Sequence, residues 1–145
     1  MQREQGSRTM IRSALAILAG IVVLTVTSFA IEWVTEPVLA RVLPDAQSSG
    51  AAWHHDVRKL IMFVYTTLCV ALGGYVTAWL ARGSEVRHAV VMGAIQMALT
   101  ALAMIEFRHK APVWFWIAGI AVTVPAAWCG GIFRVTWARR PAKCL

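Results

Sequence analysis

The sequence predicts an all-α fold, a polytopic membrane bundle of four helices, and three observations carry that expectation. Of 145 residues, 59% are hydrophobic and 14% charged, where a soluble domain carries roughly a quarter charged residues; mean hydropathy is +0.63. The apolar residues come in four uncharged runs, at 13–31, 60–81, 89–105 and 113–133, each close to the roughly 20 helical residues that cross a hydrocarbon core of about 30 Å. The runs are continuous rather than alternating, unlike barrel strands, and lipid offers no water to an open sheet edge, so they are expected to be helices. One membrane domain over 1–145 follows.

The first run, 13–31, ends at Glu32 and follows a basic segment containing Arg3, Arg8 and Arg12. That segment has the character of a signal-peptide n-region, and Ser28-Phe29-Ala30 has the form of a cleavage site. The run is long for such a peptide, so it is read as a retained span. An outer loop at 35–58 comes next. Within it Val38, Leu39, Val42 and Leu43 recur at helical spacing between Pro37 and Pro44, which predicts a short helix on the membrane surface. Residues 45–50 then read as a polar turn. The remaining runs stop at Arg82, Glu106 and Arg134.

Four spans place both termini on one side, and basic residues choose the side. Nine of them, Arg3, Arg8, Arg12, Arg82, Arg87, Arg134, Arg139, Arg140 and Lys143, lie on the side of the termini, with two acidic residues, for a net +7. The other side has five basic and five acidic residues and a net charge of 0. The termini are therefore expected in the cytoplasm, facing anionic headgroups. The charge is divided among short juxtamembrane segments, so no nucleic-acid partner is expected.

Spans one and three end alike, Thr27 to Glu32-Trp33 against Thr100 to Glu106-Phe107. Spans two and four share a double glycine, Gly73-Gly74 and Gly130-Gly131, followed by Trp79 and Trp137. Gly20 and Gly93 sit at similar depths. Two repeated helical hairpins are the expectation.

Small residues let helices approach closely in lipid, so Gly20, Gly73, Gly74, Gly93, Gly130 and Gly131 are assigned to helix packing, in pairs such as Ala16/Gly20, Ala94/Ala98 and Ala126/Gly130. Pro125, mid-span, is expected to kink the fourth helix. Trp33, Trp53, Trp114 and Trp116 read as outer-interface anchors, and Trp128 as packed inside the bundle.

Deep polar residues are where function concentrates in a membrane protein, and here they are few. Gln96 lies mid-span with Thr100 one turn on; it reads first as a hydrogen bond between helices and second as part of a polar path. No ionisable residue lies near the bilayer centre, which argues against proton-coupled transport and against a buried haem. No cofactor is expected. Glu32, His54 and His55 have ligand chemistry for a divalent metal. However, adjacent histidines on a helix diverge by about 100°, and interfacial ion pairs, Glu32 with Arg58 and Glu106 with Lys110, account for the carboxylates. Cys69, Cys129 and Cys144 form no Cys-x-x-Cys motif, so disulfide exchange is not expected; the first two read as small apolar fillers.

The run from Gly73-Gly74-Tyr75 to Trp79, His88-Ala89, Gly93, Pro112 to Trp116, and Pro125 to Gly131 resembles a family of small uncharacterised bacterial four-span inner-membrane proteins, over roughly residues 11 to 134. The resemblance implies a four-helix membrane bundle and brings no activity or cofactor. There is no resemblance to small multidrug transporters, which place a glutamate within span one, or to fluoride channels. The expectation is a non-enzymatic accessory or scaffold subunit in a homo-oligomer or larger membrane complex, with a small oligomeric transporter or channel using Gln96 and the Pro125 kink as the alternative.

Overall fold

A computed structural model describes residues 2–42, 53–81, 85–107, 109 and 111–138, with side chains described from residue 11, and in the second helix from residue 56. The chain is all-α. Four helices, α1 (Gln2–Val42), α2 (Trp53–Leu80), α3 (Glu85–Phe107) and α4 (Val113–Ala138), are each long and apolar enough to cross a membrane. The described residues include no strand. Acidic residues sit in the first turns of α2 and α3, at Asp56 and Glu85, where they complement the positive end of the helix dipole. At the start of α4 the Phe115 amide donates to the Pro112 carbonyl at 3.0 Å.

The first helix is longer than the sequence predicts. Its 41 residues span about 60 Å, twice a hydrocarbon core. Residues 35–42, expected in the outer loop as a separate surface helix, continue α1 through Pro37 without a break, and 53–58 open α2. The helical spacing was real, but proline did not interrupt it. The ring removes only the bond to the Trp33 carbonyl, which lies near the end of the apolar run, where water can satisfy it. The expected turn at 45–50 lies outside the described residues.

The helices pack in the order α1, α2, α4, α3. The most extensive interface joins α2 to α4, and α2 also meets α3 across the short diagonal. Among the described residues α1 packs on α2, touches α3 lightly and does not approach α4. Leu24, Val70, Met92, Ala126 and Ala127, drawn from all four helices, form the core.

Glycine makes these approaches possible. A Cβ on Gly74 would fall on the Ala127 carbonyl, and one on Gly130 on the Ala71 carbonyl and within 3.0 Å of the Tyr75 amide. So α2 and α4 meet backbone to backbone. Gly20 faces the Gly73 carbonyl and the Thr77 side chain; Gly73 faces Leu24 and the Met92 methyl. On the other flank Gly93 meets Ala127 and Gly131 meets Ala89, each at 2.8 Å for an added Cβ.

The two hairpins are packed differently. Gly20 of α1 meets Gly73 of α2, whereas Gly93, its counterpart in the expected repeat, meets Ala127 and Val124, about one turn short of Gly130. Several further expectations change. Ala94 and Ala98 face outward, so they are not a packing pair. Trp128, at 47% exposure, points away from the bundle. Cys69 is buried, but Cys129 is exposed and fills nothing. Pro125 also faces outward, with helix on both sides of it.

Candidate functional site

One internal surface of the bundle gathers several polar side chains, while the buried Thr77 lies apart from it at the contact of α1 with α2. From α2 come Phe63, Thr66, Thr67 and Val70; from α3 come Gln96 and Thr100; from α4 come Phe115, Trp116, Gly119, Val122, Thr123 and Ala126. Together they line a partly open cavity of about 80 Å³. It reaches from the middle of the bundle toward the end opposite the termini, and α1 contributes nothing to its described lining.

Helical periodicity puts these residues together. Positions 116, 119, 123 and 126 of α4 recur at three- and four-residue steps, which is one face of a helix. Gln96 and Thr100 are one turn apart on α3, and 63, 66, 67 and 70 share a face of α2. The aromatic rings close the end near the helix termini. Phe63 and Phe115 meet edge to face with centroids 6.3 Å apart, and the Lys59 ammonium lies 6.0 Å from the Phe115 ring centre.

The hydrogen-bonding roles in the cavity are unequal. The hydroxyls of Thr66, Thr67, Thr100 and Thr123 each donate to the carbonyl four residues earlier, at 2.7, 2.8, 2.9 and 2.6 Å. Their protons are thus committed to their own helices, and their oxygens can only accept further bonds. Trp116 is opposite in character: its Nε1 is buried and has no acceptor. An unpaired buried donor of this kind costs about 1–3 kcal/mol. Gln96 is half-buried, and its side-chain amide makes no described hydrogen bond to another helix, so the expected interhelical bond is absent among the described residues. It leaves a donor and an acceptor at the cavity wall. No ionisable side chain lines the space.

Gly119 differs from the six packing glycines. An added Cβ there would meet nothing closer than the Thr100 methyl, at 3.8 Å. Helix packing does not require a glycine at this position, and its bareness enlarges the cavity. Neither Gly119 nor the inward role of Trp116 was anticipated from the sequence; Trp116 read as an interface anchor. The repeat of 116, 119 and 123 with Gln96 on another helix was the available signal, and only the packing shows that they face each other. Pro125 lies away from the cavity, so a kink does not shape it.

The expected charged sites are distributed elsewhere. Arg58 pairs with Glu36 at 2.5 Å, one turn beyond the predicted partner Glu32. The pairing Glu106–Lys110 falls partly outside the described residues. So do the side chains of His54 and His55, which belong to the first turn of α2. Among the described residues no three His, Cys, Asp or Glu side chains converge.

A second surface lies on α1. Trp33, Val34, Val38 and Val42 are 86%, 65%, 53% and 70% exposed. Nearby, Phe29, Trp33, Pro37 and Ala40, together with the carboxylates Glu32 and Glu36, line an open depression of about 790 Å³. Comparison with known protein families, curated proteins and solved structures gave no match to this chain.

Proposed function

We propose that the chain is a non-enzymatic accessory or scaffold subunit of a bacterial inner membrane, with both termini cytoplasmic, and that it binds a partner membrane protein through the outer part of α1. The basic residues at the end that carries the termini support the orientation and the contact with anionic headgroups.

The carrying observation is the depth of the exposed valines. The Glu36–Arg58 pair marks where the hydrocarbon ends, since neither charge belongs in lipid tails. Val38 and Val42 lie beyond that level and Val34 half a turn below it, spaced four apart on one face. Lipid tails cover Val34 but end before Val38 and Val42, whose exposed side chains lie in the headgroup region and beyond. Burying each valine against a partner is worth about 1.5 kcal/mol. All four helices expose apolar side chains; what sets α1 apart is that its exposed face continues past the Glu36–Arg58 level to Val42.

A photocrosslinking residue at Val38 tests this in intact cells. One discrete adduct that survives purification is expected, with no adduct from Leu18 on the lipid-facing part of α1, and Val38→Asp should release the partner while the purified protein keeps its helical circular dichroism. Equal, diffuse labelling at Val38 and Leu18 would defeat the proposal. The cavity supports a second reading, a small transporter or channel. For that reading Gln96→Leu should abolish solute flux in proteoliposomes without altering assembly.

A further inference from the structure

We propose that the Glu32 side of α1 receives an arginine carried on a transmembrane helix of a partner protein. This surface is separate from the valine contact and does not rest on it. Phe29, Glu32, Trp33, Glu36 and Ala40 share one side of α1, and Val34, Val38 and Val42 lie largely on the other.

Arg58 belongs to Glu36, which leaves Glu32 without the cation the sequence predicts for it. The Glu32 carboxylate makes no ion pair or hydrogen bond among the described residues. Its depth makes that costly. Glu32 precedes Glu36 by one helical turn, so it sits about 6 Å nearer the bilayer centre than the pair that marks the hydrocarbon edge, and a carboxylate there needs a cation beside it. The described part of this chain supplies none. Arg58 is taken, Lys59 lies over the Phe115 ring of α4, and Arg41 is about 13 Å farther along α1 toward water. Glu32 is half-buried and opens onto the depression it lines with Phe29, Trp33 and Glu36, so an incoming side chain reaches it from outside the bundle.

The neighbours select arginine among the cations. Phe29 and Trp33, 67% and 86% exposed, stand one turn apart on the same side of the helix as the carboxylate. A guanidinium pairs with a carboxylate through two parallel hydrogen bonds and stacks on aromatic faces, whereas an ammonium is a compact, strongly hydrated charge that gives up its water less readily. The same carboxylates decide against a second copy of this chain. When the same sides of two α1 helices meet about a two-fold axis along the membrane normal, Glu32 falls beside Glu32 and Glu36 beside Glu36, and like charges repel. A partner of different sequence, with arginine at the outer edge of its span, meets this surface with attraction instead.

The test uses the full chain in vesicles of phosphatidylethanolamine and phosphatidylglycerol, with a photocrosslinking residue in place of Phe29. Three leucine-rich transmembrane peptides differ only in the residue one turn inside their outer end, which is arginine, glutamine or glutamate. The arginine peptide should give about ten times the adduct of the glutamine peptide, and the glutamate peptide less than either. Glu32→Gln breaks no described bond and should keep the parent's helical circular dichroism; it should bring the arginine peptide down to the glutamine level, while Glu32→Asp keeps part of the preference. Val38→Asp should leave the preference unchanged, so failure here and failure of the valine contact are separate results. Equal adducts from the arginine and glutamine peptides overturn the proposal, the outcome expected if lipid ammonium groups already satisfy Glu32. A preference that survives Glu32→Gln overturns it too, as does an adduct between two copies of the chain formed in place of the peptide adduct.

Discussion

Replacing Gly130 by alanine should be the most damaging single-methyl change in the chain. The new Cβ would land on the Ala71 carbonyl, 2.8 Å from its carbon and 3.0 Å from the Tyr75 amide. All three atoms are backbone, so no side-chain rotation relieves the overlap. Instead α2 and α4 must separate by roughly 1–2 Å, and at that separation dispersion contacts lose a quarter to a half of their depth or more. The loss is shared by Gly74 against Ala127, one turn along the same interface. Overpacking of this kind costs about 1–3 kcal/mol, and the rigid backbone on both sides puts Gly130→Ala at the upper end. Gly119→Ala is the internal control, since its Cβ meets only the Thr100 methyl at 3.8 Å. Alanine is also the better helix former, so this variant should be neutral or slightly more stable. Reversible unfolding in mixed micelles of rising SDS fraction, followed by far-ultraviolet circular dichroism, measures both. Gly130→Ala within about 0.5 kcal/mol of the parent, or Gly119→Ala equally destabilised, would refute the idea that backbone contact between α2 and α4 holds the bundle.

Met92 is fully buried where α1, α2 and α3 meet, with its methyl beside Gly73; Met92→Ala should cost about 2–4 kcal/mol in the same assay, because neighbouring helices cannot collapse into the space. The Glu36–Arg58 pair has a 62% exposed carboxylate, so Glu36→Gln should change stability by less than about 1 kcal/mol, and a larger loss would show that the pair is a structural tie. In a Cys144→Ser background a lipid-soluble maleimide should label exposed Cys129 and spare Cys69, which is 2% exposed; labelling of both at one rate would contradict the packing of α2.

The helices were legible because lipid imposes a length requirement and removes every alternative to helix except the barrel. Four long apolar runs sufficed, and they appear as four long helices. What remained hidden is which way each helix faces. In a soluble protein apolar residues point inward and reveal the face. Here Leu18 and Val26 face outward while Gly20 and Leu24 face inward, and hydropathy does not separate them. Small size is the better guide, and it works for the glycines, but it misplaces Ala94 and Ala98, which are small and outward. Trp128 and Cys129 were misread for the same reason. The length of α1 was obscured by Pro37, since the sequence does not say that the surroundings of Trp33 tolerate a missing donor.

The arrangement also constrains where regulation or partnership can enter. Backbone contact through Gly74 and Gly130 fixes α4 against α2, and Gly93 and Gly131 fix α3 against α4; any relative movement of these three helices would force the same carbonyls and methyls together or apart, and would change the cavity they enclose. α1 is gripped on one side. It meets α2 backbone to backbone, a Cβ on Gly20 falling 2.8 Å from the Gly73 carbonyl and one on Gly73 2.9 Å from the Gly20 carbonyl, touches α3 lightly and contributes nothing to the described cavity wall. Moving α1 on α2 therefore disturbs this one glycine contact and none of those that join the other three helices. A partner bound at Val34 and Val38 would pull on the least anchored element and leave the contacts among α2, α3 and α4 intact, so a Val38→Asp variant that loses its partner should unfold with the parent's stability in the same assay.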